Sequence, residues 1–262
     1  MPFPKSPRVI YEKNPLERVI CQLRFPPILK IELELLAEFQ DALRKKFPLF
    51  VEESAPTIEL PLEFQQLPFE IISSLSPEGH KRYTFKTADE KWVINLERNF
   101  IAITAREYAR WEEFRDYFES PLKVLKEIYD PAFFSRTGLR YRNIIRKSVL
   151  GLEDVSWSEL LNPKIAGIMK DKDLSQFIHN INGKIEVVLA DGDSLVRINH
   201  GLVRHNSSGE ICYLIDNDFF TEQNIEVDHA LAKISYFNQR SGNLFRWCIT
   251  EKLHTAMGPT VV

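Results

Sequence analysis

Residues 82–104 read RYTFKTADEKWVINLERNFIAIT, and this stretch decides the class of fold. Arg82–Lys86, Trp92–Leu96 and Phe100–Thr104 are each strand-length and rich in aromatic and β-branched residues. Asp89-Glu90 and Arg98-Asn99 separate them as tight turns, which predicts an antiparallel meander. A segment of helical periodicity follows, with Tyr108, Trp111, Phe114, Phe118, Leu122, Leu125 and Tyr129 on one side. Pro121 lies inside it and predicts a break near Ser120. Adjacent strands closed by a helix disfavour a doubly wound parallel sheet.

Toward the N-terminus, Val19, Cys21, Leu23 and Phe25 alternate with Arg18, Ile20, Gln22 and Arg24. This predicts a strand over Glu17–Phe25, ended by Pro26-Pro27 because neither proline donates to a ladder. Leu35, Leu36, Phe39, Leu43 and Phe47 predict a helix from Ile31 to Lys46. Ile58, Leu60, Leu62 and Phe64 alternate within Thr57–Phe64, where Pro61 fits only an edge strand or a bulge.

The same order returns downstream. Gly138–Arg146 reads as a strand and Ser156–Lys170 as helix-prone, interrupted by Pro163. Lys184–Ala190, Ser194–His205 and Ile211–Ile215 read as three more strands. Asn182-Gly183, Asp191-Gly192-Asp193 and Ser208-Gly209 are the expected turns. A closing helix over Val227–Leu253 follows, divided by Ser241-Gly242-Asn243. The chain therefore predicts an α+β fold of antiparallel sheets packed on long amphipathic helices. It comprises two similar β-α-β-β-β-α halves in a pseudo-two-fold arrangement. The expected division is an N-terminal arm at 1–14, a first α+β subdomain at 15–134 and a second at 135–262. The two subdomains pack intimately, since no low-complexity linker separates them.

The 262 residues carry 44% hydrophobic and 27% charged side chains, a profile that excludes extended disorder. The 18 Phe against 3 Met predict a core built from rigid rings. A net charge of −3 excludes a protein that coats nucleic acid through bulk charge. Cys21, Cys212 and Cys248 are too dispersed for a zinc site or disulfide scaffold and predict reduced buried thiols. The N-terminal Met1-Pro2-Phe3-Pro4-Lys5 has no apolar core of a signal peptide, and no run reaches the ~18 apolar residues of a membrane span. A cytoplasmic location and no membrane partner are expected.

The strand Arg136–Lys147 places Leu139, Tyr141 and Ile145 on one face and Arg140, Arg142 and Arg146 on the other. Such a row can fork onto phosphates, meet an acidic protein partner, or pair with acidic cross-strand neighbours. Arg136 begins it, and Arg18 and Arg24 extend it if the Glu17–Phe25 strand lies alongside. A second candidate spans residues 238–247, NQRSGNLFRW. Arg240, Arg246 and an exposed Trp247 there suit a ligand or a second subunit, or else a self-capped helix corner. Asp216-Asn217-Asp218 with Glu222 has the spacing of carboxylate metal ligands, but its place before a helix predicts N-caps. The histidines form no cluster, and no metal or other cofactor is expected.

No nucleophile elbow, phosphate-binding loop, dinucleotide fingerprint or H-E-x-x-H occurs. The chain reads as a binding protein rather than an enzyme. Asn14-Pro15-Leu16-Glu17-Arg18-Val19-Ile20-Cys21-Gln22-Leu23-Arg24-Phe25-Pro26 resembles a block of an uncharacterised, sporadically distributed bacterial family of about this length. Phe237-Asn238-Gln239-Arg240, Leu244-Phe245-Arg246-Trp247-Cys248-Ile249-Thr250, Leu253-His254-Thr255-Ala256-Met257 and the central Gly138-Leu139-Arg140-Tyr141-Arg142-Asn143 fit the same pattern. The resemblance spans nearly the whole chain. It implies accessory cargo such as a defence or toxin–antitoxin cassette, and carries over no activity, fold or catalytic residue. The leading expectation is a non-enzymatic binding or scaffold protein that recognises a protein partner or a second copy of itself. The alternatives are nucleic-acid or nucleotide recognition by the arginine-rich strand, and a small-ligand cup between sheet and helix.

Overall fold

Alternating apolar residues in strand after strand find one another across a single large sheet. The computed structural model describes residues 2–33, 36–54 and 81–262. The chain opens with β1 (Val9–Tyr11), β2 (Leu16–Arg24), α1 (Lys30–Leu33), α2 (Leu36–Leu43) and β3 (Leu49–Ser54). The meander β4 (Lys81–Lys86), β5 (Trp92–Glu97) and β6 (Phe100–Ala105) leads into helix α3 (Trp111–Tyr129) and strand β7 (Arg136–Ile145). Short helices α4 (Lys147–Leu150), α5 (Trp157–Leu160) and α6 (Pro163–Ala166) precede β8 (Asn182–Val188), β9 (Leu195–Arg204) and β10 (Ile211–Thr221). Helices α7 (Ala230–Cys248) and α8 (Glu251–Ala256) and strand β11 (Pro259–Val261) complete the chain.

Nine strands form one sheet in the order β3-β4-β5-β6-β2-β7-β10-β9-β8, with every neighbour antiparallel. The fold is α+β with a large antiparallel sheet. Register assigns the two faces. Cys21, Leu139, Phe219 and Val196 lie directly across from one another and form an apolar row. One residue along, the row runs Ile20, Arg140, Asp218, Arg197 and Glu186. Helix α7 lies against β7 and β10, and α2 lies against α3. Phe114, Phe118, Leu125, Ile234, Phe237 and Leu244 of the long helices are buried with Leu23, Ile94, Ile103 and Ile215 of the sheet. Burying each such side chain contributes roughly 1.5–3 kcal/mol.

Several local expectations fail for identifiable reasons. Pro121 does not break α3, which runs 19 residues through it. Its missing N–H is offset because Phe118, Leu122 and Leu125 bury the helix on both sides of it. Ser241-Gly242-Asn243 does not divide α7. The break falls at Ile249-Thr250, where Ile249 bridges to Leu161 and the Thr250 N–H donates to the Leu160 carbonyl at 2.9 Å. Asn182-Gly183 is not a turn but the start of β8. A Cβ on Gly183 would sit 2.4 Å from His200 Nε2, so this glycine serves a close cross-strand approach.

Asp216-Asn217-Asp218 is not a helix cap either. It continues β10, which runs to Thr221. Strand β3 is an element that the alternation did not mark. The strand expected over Thr57–Phe64, and Leu35 of the first helix, lie outside the described residues. The arm is held by antiparallel pairing of β1 with β11, Val9 opposite Val261 and Tyr11 opposite Pro259. Among the described residues no helix is long and apolar enough to cross a membrane.

Candidate functional site

The central strand pair β7–β10 carries polar side chains on both faces, and their fates differ. On the face away from α7, Arg140 forks onto Asp216, with Nε donating at 2.7 Å and Nη2 at 2.5 Å. Arg136 Nη2 donates to Asp218 at 3.0 Å. Arg142 lies 2.8 Å from Glu17 and Arg146 lies 3.4 Å from Glu210. Arg18 sits across from Arg142, and Arg24 across from Arg136, because β2 and β7 are neighbours. The arginine row is thus real and extended as expected, and the acidic side chains of β2, β10 and the β9–β10 turn lie against it. Asp216 and Asp218, expected as caps, are the counter-charges of Arg140 and Arg136.

On the opposite face a cavity of about 850 Å³ opens between β7, β10, α7, the start of α3 and the arm. Its sheet side is Tyr141, Asn143 and Asn217. Helix α7 contributes Asn238, Gln239, Arg240, Ser241, Phe245 and Arg246, and the start of α3 contributes Trp111 and Glu112, with Tyr108 just before it. The helix presents these groups because its buried stripe, which begins with the apolar Ala230, Ile234 and Phe237, continues through Ser241 and Asn243.

The walls are tied by hydrogen bonds. The Tyr141 hydroxyl donates to Asn238 Oδ1 at 2.8 Å, and its ring meets Tyr108 edge-on at 6.0 Å. Burial pushes both phenols above their ordinary range, so they enter as neutral hydroxyls. The Ser6 N–H donates to Asn243 Oδ1 at 3.0 Å and closes the arm over α7. Arg8 donates twice to Glu112, at 2.7 Å each, and holds that carboxyl at about 2. The Tyr11 hydroxyl lies 2.8 Å from His254 Nδ1, and burial pushes it up to about 12.

Asn217 stands apart from these groups. It is 1% exposed, it lines the cavity, and among the described residues neither Oδ1 nor Nδ2 has a hydrogen-bond partner. Its neighbour on the same face, Asn143, donates from Nδ2 to the Ile215 carbonyl at 3.2 Å. Arg240 Nε is likewise buried without an acceptor among the described residues, while its guanidinium lies 4.5 Å from the Tyr236 ring centre.

Of the residues singled out in the sequence, Arg240 and Arg246 line the cavity. Trp247 does not: it is half-buried, not exposed, and packs on Phe3 at 5.3 Å. Arg18, Arg24, Arg136, Arg140, Arg142 and Arg146 are brought together elsewhere, around the other face of the sheet. Sequence reasoning missed Asn217, Tyr141, Asn143 and Tyr108. The one available signal was an asparagine on the apolar side of a strand whose other side is charged.

The three cysteines are free and buried, and burial raises the thiols of Cys21 and Cys248 far from reactivity. Among the described residues no three His, Cys, Asp or Glu side chains gather as metal ligands. Hydrogen-bonding groups, rings and cations around a cavity of about 850 Å³ can hold an organic molecule. Compared with protein-family models and with curated proteins, the chain matches none.

Proposed function

We propose that this chain is a non-enzymatic binding protein that takes a small organic ligand into the cavity between the sheet and α7. The observation that carries this reading is the unpartnered amide of Asn217. A buried amide left without partners costs about 1–3 kcal/mol, and sites built to recognise polar ligands are where such groups persist. The cavity volume of about 850 Å³ falls within the range of small-molecule sites. The test is a thermal-shift screen of a broad metabolite library on the wild type and on Asn217→Leu. A compound that raises the melting temperature of the wild type and not of the variant supports the reading. A library that shifts neither protein, or shifts both equally, overturns it.

We also read residues 15–134 and 135–262 as two related halves, each closed by a long amphipathic helix. In support, β2-β6-β5-β4 leads outward from the sheet centre on one side and β7-β10-β9-β8 on the other. The first strand of each half pairs with the last, and β2 meets β7 antiparallel at the middle. The cavity then lies near the junction, with walls from both.

A second reading, recognition of a second copy of the chain, is favoured by the edge strand β8. Ile185 is 41% exposed and Val188 57%, with Phe177 nearby in sequence at 73%. Antiparallel self-pairing about Ile185 sets Lys184 of one copy opposite Glu186 of the other, an attractive cross-strand pair. Sedimentation equilibrium would show a dimer that Ile185→Lys dissociates. A monomeric wild type at about 100 μM, the weak end of specific association, removes this reading.

A further inference from the structure

Resting on the ligand reading above, we propose that the cavity accepts a mononucleotide, with the base against Asn217 and the phosphate toward Arg240. The buried amide offers a donor group and an acceptor side by side, both without partners among the described residues. That pair is complementary to a planar heterocycle edge bearing the converse pair, as every common nucleobase does. The amide can be turned either way, so the feature selects a base edge without choosing among bases.

Ring surfaces share the cavity with it. Tyr108, Trp111 and Phe245 line the same cavity, and stacking on such rings is tolerant of base identity. Charge supplies the other half of the ligand. Lys5, Arg8, Arg110, Arg240 and Arg246 line the cavity against the single carboxylate of Glu112, which Arg8 already neutralises. Arg246 is committed to Glu251. Lys5 and Arg110 are exposed and sit at the rim, where they can steer an anion inward. Arg240 is half-buried, its Nε–H has no acceptor, and no acidic side chain pairs with it among the described residues. A guanidinium held beside Tyr236 with donors left over is suited to a phosphate oxygen. By contrast, the arginines of β7 each have a carboxylate within ion-pair distance.

Isothermal titration of the full chain with AMP, GMP, CMP and UMP, with each parent nucleoside, and with inorganic phosphate tests the assignment. The expected result is that at least one mononucleotide binds and its nucleoside binds about tenfold or more weakly, the scale of a lost charge-assisted bond. Arg240→Met should erase the difference between nucleotide and nucleoside. Asn217→Leu should weaken both by about tenfold or more, the scale of a bidentate base contact. Melting curves of both variants, with Arg240→Gln as a second replacement, establish that they fold. No binding of any mononucleotide, or binding that neither substitution alters, overturns the proposal. Should nucleotides fail while another compound shifts the wild type and not Asn217→Leu, the nucleotide class falls and the cavity reading stands. Should no compound make that distinction, both fall.

Discussion

The two faces of the β7–β10 pair are built from adjacent residues, and they solve the problem of buried polarity in opposite ways. On one face Arg140 and Asp216 are nearly inaccessible and join through two charge-assisted hydrogen bonds. On the other, Tyr141 and Asn217 lie directly across the strand pair, and only Tyr141 has a bond to spend its hydroxyl on. A closed polar pair fixes strand register, since slipping by one residue would bury an uncompensated charge. An open one is where the proposed ligand would bond. The same strands thus serve as scaffold on one side and candidate receptor on the other.

The largest expected effect comes from breaking the closed side. Arg140→Met leaves Asp216, 3% exposed, without its counter-charge, and should cost about 3–5 kcal/mol in urea denaturation. The double variant Arg140→Met/Asp216→Leu should recover most of that loss. A double variant as unstable as the single one would mean that the pair is not what holds the centre.

The open side should respond with the opposite sign. Asn217→Leu removes an amide that has no partner among the described residues, so the ligand-free protein should gain about 1–3 kcal/mol. A loss of stability would place Asn217 among the structural groups and erase the contrast between the faces.

The smallest effect concerns the arm that walls the cavity. Arg8 depresses the Glu112 carboxyl from 4.5 to about 2. A carboxyl depressed in the folded state stabilises fully above its unfolded pKa, and this contribution disappears as pH falls from about 4.5 toward 2. Both partners are about half exposed, so the contribution is under about 1 kcal/mol. Arg8→Met should therefore lower stability at pH 7 by that amount and leave it unchanged near pH 2. Acid titrations of the two proteins that run parallel throughout would show that the pair does not bear on the arm.

Much of this architecture was legible because strands announce themselves locally. The meander of β4, β5 and β6 and the arginine row of β7 follow from alternation and turn residues alone. The stretch from Asp216 to Asp218 was not legible in this way. Locally it looks like a cap, and it is a strand because Arg140 and Arg136, some 80 residues away in sequence, supply partners. Helix α7 survives Ser241-Gly242-Asn243 for similar reasons: the Ser241 hydroxyl donates to the Asn238 carbonyl at 2.8 Å, and Asn243 accepts from the arm. The cavity had no local signature, because its walls come from five separate parts of the chain. Arg240 and Arg246 were found by composition, whereas Asn217 and Tyr141 became visible only once register showed which way they face.

The position of β2 has a consequence for synthesis. In the finished sheet β2 sits between β6 and β7, so Cys21 waits for Ile103 on one side and Leu139 on the other. At ribosomal rates the second partner emerges on the order of ten seconds after the first strand. During that interval the nascent chain carries an apolar strand with an open edge, the form most prone to intermolecular pairing. Efficient production of this protein should therefore depend on a holding chaperone or a slow, dilute translation regime, and codon choice ahead of β7 becomes a variable worth controlling.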